Sequence, residues 1–250
     1  MWQNSAKALK SLYKDSKNLL LKINTWLLTL QNSNSPTYDM MIFFHDFTMI
    51  LLIFITMMIL SIMLSLSKNL LIDRYLLQGH KIDIIWTIAP MIILMFIALP
   101  SLKILYLTDE LHNNKLTIKT IGHQWYWSYE YSDFSNIEYD SFMIPTPEVQ
   151  SNEFRLLEVY NRCIMPFKFP IRILTTSMDV IHAWTLGSLG IKMDSTPGGL
   201  YQSFMHINRP GMFFGQCSEI CGINHSFMPI VVESTNFSNL KNWLLFTLSQ

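Results

Sequence analysis

The sequence has few charged residues for its length. Only 14% of its 250 residues are Asp, Glu, Lys or Arg, and 18 basic residues balance 18 acidic ones. Proteins that bind nucleic acid do so chiefly through phosphate contacts from a basic face, so this neutral composition predicts no nucleic-acid partner. Half of the residues are apolar, which is too many for an ordinary soluble protein. The composition therefore indicates a membrane protein, with the lipid bilayer as a partner.

Cysteine is also scarce, with three residues in the chain. Three thiols cannot form the paired disulfide framework of a small secreted scaffold, which excludes that class. Cys217 and Cys221 lie close together in the sequence, so metal binding or redox chemistry is the better hypothesis for them. Cys163 stands alone beside a predicted strand, and we interpret it as a small buried apolar residue.

Two long apolar runs cover residues 41–64 and 84–102. The second is long enough, at about 1.5 Å per helical residue, to cross the hydrocarbon layer of a bilayer. Its two prolines, Pro90 and Pro100, are tolerated in a spanning helix that packs on neighbours. A buried core helix is the alternative for both runs, but two such runs lie close together and the apolar content drops after residue 110. The pattern therefore predicts two transmembrane helices.

The spans and their flanks define the predicted organisation of the chain. Residues 1–40 form an N-terminal segment, and its residues 1–25 are an unusual extension that is either an amphipathic or targeting segment or has no function. Residues 41–110 form the transmembrane hairpin, which places both flanking regions on one side of the membrane. Residues 111–235 form a β-domain, and residues 236–250 form a helical tail. The predicted class is an α+β membrane protein.

Beyond residue 110, short β-branched and aromatic runs are separated by Asn, Pro and Gly, which is typical of strands. One domain of this size and pattern suits a β-sandwich or a Greek-key barrel. The predicted strands run from Leu116 to Ile121, His123 to Tyr131, Arg155 to Val159, Ile171 to Thr175, Asp179 to Trp184 and Met228 to Glu233.

A cluster of soft metal donors lies near the C-terminal end of the β-domain. Cys217, Cys221, His225 and Met228 supply two thiols, an imidazole and a thioether within one short segment. Thiolate and thioether favour Cu(I), and imidazole accepts either oxidation state of copper. Two thiols could bridge two copper ions, and each copper would then need its own imidazole. His182, on a separate predicted strand, is the natural second imidazole.

Two other interpretations of the cluster stay open at this point. A Cys217–Cys221 disulfide is one, although it leaves His225 and Met228 without a role. The second is a structural zinc site with two Cys and two His ligands, which has the right donors but an unusual spacing and no need of Met. That site would make the chain a membrane-anchored structural or assembly protein.

An aromatic segment, GHQWYWSYEY at residues 122–131, is the second unusual feature. Alternation along a strand predicts that Trp125 shares a face with Trp127, Tyr129 and Tyr131, with Tyr126 on the opposite face. Such rings usually pack a core, but an exposed Trp beside a metal site could couple a donor protein to it. The acidic residues that follow, Glu130, Asp133, Glu138 and Asp140, are either a solvated face or a surface that steers a basic partner.

Over about residues 31–235 the sequence resembles subunit II of cytochrome c oxidase of the mitochondrial type. The motifs that carry the resemblance are GHQWYWSYEY, FHD at the first span, IIWTI and ALPSLKILY in the second, DVIHAW, and GQCSEICGINHSFMPI. The resemblance implies a two-helix transmembrane hairpin followed by a cupredoxin-like Greek-key β-barrel domain in the mitochondrial intermembrane space. Both termini would lie in that space, and the hairpin in the inner membrane.

The same resemblance implies a dinuclear copper A centre with a defined ligand set. Cys217 and Cys221 would bridge the two copper ions. His182 and Met228 would complete one copper, and His225 and the backbone carbonyl of Glu219 the other. The side chain of Glu219 would bind a magnesium ion shared with subunit I.

The resemblance also implies the route and the partners. Electrons would enter from reduced cytochrome c at Trp125 and leave through His225 toward the haem of subunit I, within a complex of several subunits that reduces O2 to water and pumps protons. Asp83 stands where the family usually has a Glu at the mouth of a proton pathway, and its side chain is shorter. The acids implied in cytochrome c docking are Glu130, Asp133, Asp140 and Asp179.

Several residues depart from the family pattern. Tyr160 and Met178 stand where docking acids are usual, which predicts weaker electrostatic steering. Leu186 and Gly187 replace a common Val-Pro pair, and Gly199 replaces an Arg, so contacts with subunit I at those loops are expected to differ. None of these departures is a copper ligand.

Overall fold

The computed structural model describes residues 29–71, 73–109, 114–134 and 137–249. The predicted extension at residues 1–25 lies outside the described residues. The described chain forms two long helices followed by a domain of β-strands with a short C-terminal helix. This architecture confirms the prediction of a helix pair followed by a β-domain.

The two long helices are α1 (Pro36–Lys68) and α2 (His80–Asp109), and both are long and apolar enough to cross a membrane. In α1, Tyr38 is the single buried residue, and α2 has none. A core helix of a soluble protein would bury one face, so this exposure argues against the buried-core alternative. These surfaces need lipid or partner proteins to cover them.

The start of α1 is held by polar contacts with the β-domain. The hydroxyl of Ser35 caps the helix by accepting from the backbone N–H of Tyr38 at 3.1 Å, and it also donates to the carbonyl of Leu189 at 2.7 Å. Asn34 is 1% exposed; its side-chain oxygen accepts from the backbone N–H of Arg209 at 3.1 Å, and its amide donates to the carbonyl of Arg209 at 3.1 Å. These bonds fix the segment that precedes the helix.

The β-domain contains ten strands in the described residues and one closing helix. Their bounds are β1 (Leu116–His123), β2 (Tyr126–Tyr131), β3 (Glu138–Ser141), β4 (Cys163–Pro166), β5 (Pro170–Ser177), β6 (His182–Leu186), β7 (Ile191–Ser195), β8 (Tyr201–His206), β9 (Gly211–Gln216), β10 (Pro229–Thr235) and α3 (Phe237–Thr247).

The strands form a five-stranded sheet in the order β3-β2-β1-β5-β8, a three-stranded sheet β4-β10-β9 and a β6-β7 pair. β1 pairs with β5 in parallel and with β2 antiparallel, and β10 pairs with β4 in parallel and with β9 antiparallel. All three sheets contribute to one core. Its largest fully buried side chains are Trp127, Trp184, Tyr129, Tyr131, Ile118, Ile137, Met165, Ile171, Ile173, Leu186, Leu189 and Met205.

One predicted strand is wrong. Residues 155–157 form a turn, and Val159 makes only an isolated bridge with Met143. Leu156 has a φ of 66°, a left-handed conformation that a strand cannot contain. The apolar and β-branched composition of the segment predicted a strand, but the local backbone turns instead.

Candidate metal centre

His182 opens β6 and is fully buried. Its Nε2 lies 2.9 Å from a carboxylate oxygen of Asp179, and its ring meets the edge of Trp127 with centroids 5.9 Å apart. When the carboxylate accepts a hydrogen bond from Nε2–H, the other ring nitrogen, Nδ1, keeps its lone pair free to bind a metal. Nδ1 lies 3.9 Å from Sγ of Cys217. The contacts with Asp179 and Trp127 therefore direct Nδ1 of this imidazole toward Cys217.

Cys217 and Cys221 lie in the loop between β9 and β10. The backbone N–H of Ser218 donates to the carbonyl of Ala183 at 3.1 Å, which holds the loop beside the start of β6. This bond explains how His182 reaches two thiols that lie more than thirty residues away in the chain. Sγ of Cys217 also lies 3.3 Å from the carbonyl oxygen of Glu219.

The remaining donors approach the second thiol. Sγ of Cys221 lies 3.4 Å from Nδ1 of His225 and 3.5 Å from the sulfur of Met228. The donor atoms of His182, Cys217 and Cys221 all lie within 4.8 Å of one another. The structure therefore brings together the five side chains that the sequence predicted as copper ligands, and the carbonyl of Glu219 with them.

The three cysteines of the chain all lie in its described part, and all are free. The disulfide interpretation of Cys217 and Cys221 therefore does not describe this structure. Cys163 is fully buried, and burial raises the pKa of its thiol to about 12. It is a buried apolar residue in the core, as predicted.

The two thiols of the loop differ in acidity. Burial opposes ionisation of Cys217, but its interactions with the His182 imidazole and with the backbone at Ala183 and Glu219 outweigh it and lower the pKa of this thiol to about 7. Burial and the neighbouring charge of Cys217 raise the pKa of Cys221 to about 12. Cys217 is therefore the more acidic of the two thiols before any metal binds. Both thiols can ionise together only beside cations, which is the condition that a metal centre supplies.

Trp125 lies in the turn between β1 and β2 and is half-buried. Its indole N–H donates to the carbonyl of Cys221 at 3.3 Å. The predicted alternation is wrong for this residue, because β2 begins at Tyr126 and the turn removes Trp125 from the face of Trp127. Tyr126 stacks on His123 outside the core. The turn thus brings the half-buried ring of Trp125 against the backbone of Cys221, while Trp127 contacts His182 from inside the core.

The four acids predicted for docking all have hydrogen-bond partners. Glu130 pairs with Lys119 at 3.0 Å, Asp133 accepts from the backbone N–H of Thr117 at 2.6 Å, and Asp140 accepts from the hydroxyl of Ser128 at 2.7 Å. Asp179 accepts from His182 and from the backbone N–H of Gln124 and of Val180. Burial opposes ionisation of Asp179, but these donors outweigh it and lower its pKa. Its carboxylate therefore orders the site besides adding surface charge.

Two residues of the site were missed by the sequence analysis. The side-chain amide of Gln124 donates to the carbonyl of Cys221 at 2.9 Å. Gly122 leaves room for His182, because a Cβ at this position would lie 2.8 Å from the imidazole Cδ2. Both lie in the aromatic segment beside Trp125, so the unusual composition of that segment was the signal that could have identified them. Their contacts depend on the fold of the distant loop.

Glu219 and Asp83 are both exposed. The carboxylate of Glu219 is free to reach a partner or an ion, and Asp83 lies in the first turn of α2. The magnesium and proton-path roles of these residues stay predictions.

Comparison with known proteins decides the family. Residues 116–235 match the family described as cytochrome c oxidase subunit II, periplasmic domain, and residues 23–104 match its transmembrane domain. The chain belongs to the cytochrome c oxidase subunit II family. The prediction of the family is confirmed, and membership makes this chain a membrane protein and a subunit of an oxidoreductase complex.

Relatives match along most of their length. A cytochrome c oxidase subunit 2 from Lasius is 74% identical over 222 residues, which cover 89% of this chain and 98% of the relative. One from Aedes aegypti is 59% identical and covers 88% of this chain and 97% of the relative. The crystal structure of the periplasmic domain of subunit II from Bradyrhizobium japonicum is 39% identical with a TM-score of 0.52, and it covers 56% of this chain and 98% of that chain. The cupredoxin-like prediction for the β-domain is confirmed.

Proposed function

We propose that this chain accepts electrons from reduced cytochrome c at a dinuclear copper A centre and delivers them to the haem of subunit I, where O2 is reduced to water and protons are pumped. The observation that carries the proposal is the meeting of two free thiols with His182 inside 4.8 Å. His225 and Met228 approach the second thiol. A set of two thiols, two imidazoles and a thioether suits copper.

The proposed ligand set assigns each donor a role. Cys217 and Cys221 would each supply a thiolate to the two copper ions, His182 and Met228 would complete the ligands of one, and His225 and the carbonyl of Glu219 would complete those of the other. The carboxylate of Asp179 holds His182 with Nδ1 as the ligand atom. When bound, the copper pair supplies one-electron exchange with little rearrangement. Burial of His182 and the cysteines excludes water and keeps the ligands in place.

Trp125 is the proposed point where electrons enter. Its ring is partly exposed, so a docked protein can touch it, and its indole N–H bonds directly to the carbonyl of a bridging cysteine. His225 is the proposed exit, because it lies in a short 3-10 helix on the partly exposed side of the same loop. The two residues contact Cys221 through different atoms, the carbonyl and the sulfur.

The cellular location of the chain and its partner subunits are part of the same proposal. Relatives named cytochrome c oxidase subunit 2 come from insects such as Aedes aegypti, which supports the mitochondrial inner membrane as the location, with the copper domain in the intermembrane space. Oxidase subunit I and further subunits cover α1 and α2 together with lipid. Glu219 offers an exposed carboxylate for magnesium at the boundary with subunit I.

Metal analysis and spectroscopy of the purified oxidase test the proposal. We expect two copper ions assigned to this subunit, visible absorption from copper–thiolate bonds, and an electron-spin signal of one electron shared by both ions. Cys217→Ser should abolish the shared signal because one bridge is lost. A colourless subunit that contains zinc would instead support the structural alternative with two Cys and two His ligands, and the electron-transfer proposal would fall.

A further inference from the structure

Gln124 makes two hydrogen bonds that connect separate parts of the centre. Its backbone N–H donates to the Oδ2 atom of Asp179 at 2.6 Å, and its side-chain amide donates to the carbonyl of Cys221 at 2.9 Å. Asp179 holds His182 through its other carboxylate oxygen at 2.9 Å. One residue thus ties the strand that carries a histidine ligand to the loop that carries a cysteine ligand.

The carbonyl of Cys221 accepts two donors at once. The amide of Gln124 reaches it at 2.9 Å, and the indole of Trp125 reaches it at 3.3 Å. A carbonyl oxygen has two acceptor sites, so the bonds need not compete. The indole bond is the longer of the two and is at the edge of the usual range for N–H···O bonds. The shorter bond of the neighbouring amide therefore does more to fix the distance between the turn and the loop.

The loop approaches the ring closely at Gly222. A Cβ there would lie 3.0 Å from the indole ring of Trp125 and 3.3 Å from the side-chain nitrogen of Gln124. The φ of Gly222 is 125°, a conformation that favours glycine. The backbone of the loop thus leaves room for both side chains. Neither could keep its bond to Cys221 if the turn moved away from the loop.

We propose that Gln124 is a positioning residue for electron transfer from cytochrome c, and that its side-chain amide holds the ring of Trp125 against the backbone of Cys221. The proposal rests on the function assigned above to Trp125 and Cys221. The step that it supports moves one electron from reduced cytochrome c to the copper pair and moves no proton, because the indole and amide N–H groups keep their hydrogens. Gln124 itself is not oxidised or reduced.

Gln124→Leu tests the proposal in the purified oxidase. Leu has a similar size but no donor, and the exposure of Gln124 leaves no buried hole. We expect the rate of electron transfer from bound cytochrome c, measured by rapid mixing at saturating donor, to fall by more than about twofold, because the loss of the 2.9 Å bond lets the ring of Trp125 move away from the carbonyl of Cys221. The copper content and the KM for cytochrome c should stay within about twofold of the unmodified oxidase, as a role in positioning alone requires.

Gln202→Leu is the matched control. Gln202 lies exposed on β8 of the same domain, and its replacement should leave all three measurements unchanged. Gln124→Asn is the second variant, because it keeps the amide but falls one methylene short of the carbonyl of Cys221. It should slow the transfer as much as Gln124→Leu.

Each alternative role for Gln124 gives a different result. A raised KM with an unchanged rate at saturation would make Gln124 a docking contact and overturn the positioning role. Loss of copper in both variants, with an unchanged rate per remaining centre, would make it a structural residue and also overturn it. If the unmodified oxidase itself lacked the shared copper signal, the proposed function would fail. A normal copper centre with an unchanged rate of electron transfer in Gln124→Leu would refute the positioning role of Gln124 and leave the proposed function standing.

Discussion

Gly122→Ala is expected to displace the imidazole of His182 from the proposed copper centre. The added Cβ would lie 2.8 Å from Cδ2, 3.0 Å from Cγ and 3.1 Å from Cβ of His182. The shortest of these separations is about 0.6 Å inside the 3.4 Å at which ordinary contact begins. His182 has little room to retreat, because it is fully buried, bonded to Asp179 and packed against Trp127.

A shift of this size matters more for metal binding than for folding. Overpacking of a core by one methyl group costs about 1–3 kcal/mol, which a folded domain usually survives. Metal–ligand distances, in contrast, are held within about 0.2 Å of their preferred values. A displacement of roughly 0.6 Å is three times that tolerance, so we expect loss of at least one copper ion or a change to a single-copper spectrum.

The assay compares copper content, visible absorption and the electron-spin signal of the Gly122→Ala oxidase with those of the unmodified complex. Gly198→Ala is the control, because Gly198 has a φ of 74° and no atom within 4 Å of the added Cβ. That variant suffers backbone strain of about 1 kcal/mol but leaves His182 untouched, so its spectrum should stay native. A native copper signal in Gly122→Ala would refute His182 as a ligand held by the packing of Gly122.

Three further predictions follow from other contacts. Met228→Leu should keep both copper ions but shift their reduction potential by about 60 mV, a tenfold change in the one-electron equilibrium, because a thioether donor that tunes the potential is lost. Redox titration measures the shift, and complete loss of copper would contradict the role assigned to Met228. Copper binding to the metal-free protein at pH 7 should release between one and two protons from the thiols of Cys217, with a pKa of about 7, and Cys221, with a pKa of about 12, so affinity should rise with pH; calorimetry in buffers of different ionisation enthalpy counts the protons, and no release would show that both thiols are already ionised. Asn34→Ala should lower the free energy of unfolding by about 1–3 kcal/mol, since it leaves the backbone N–H of Arg209 without its partner; chemical denaturation measures the loss, and an unchanged midpoint would show that the bond contributes nothing.

The sequence predicts the parts of the fold that depend on local composition. The apolar runs at residues 41–64 and 84–102 lie inside α1 and α2, because long apolar stretches form helices whether lipid or protein covers them. The segment at residues 155–159 shows the limit. Its composition resembled a strand, but Leu156 adopts a left-handed backbone, and nothing in a short apolar run foretells which residue will turn.

The sequence likewise predicts some ligands of the metal site directly and others only as a hypothesis. The spacing of Cys217, Cys221, His225 and Met228 places four donors in one loop without any knowledge of the fold. His182 could be joined to them only as a hypothesis, since its approach depends on the hydrogen bond from Ser218 to Ala183, which joins two segments that lie far apart in the chain. Long-range pairing of this kind leaves no local pattern in a single sequence.

The aromatic segment and the donor loop work as one unit, and this explains why the predicted alternation of rings failed at the residue that matters. On a regular strand Trp125 would point into the core beside Trp127, where no partner protein could touch it. The turn at Gln124 and Trp125 leaves the ring half-exposed, and both residues then donate to the carbonyl of Cys221. Gly122, just before this turn, and Asp179, which accepts from the backbone N–H of Gln124, set the position of His182. Gly122, which leaves room for a ligand, and Trp125, which would receive the electron, therefore lie in one short stretch of backbone, so Gly122→Ala should alter the metal spectrum while Gln124→Leu should slow electron transfer at an unchanged copper content.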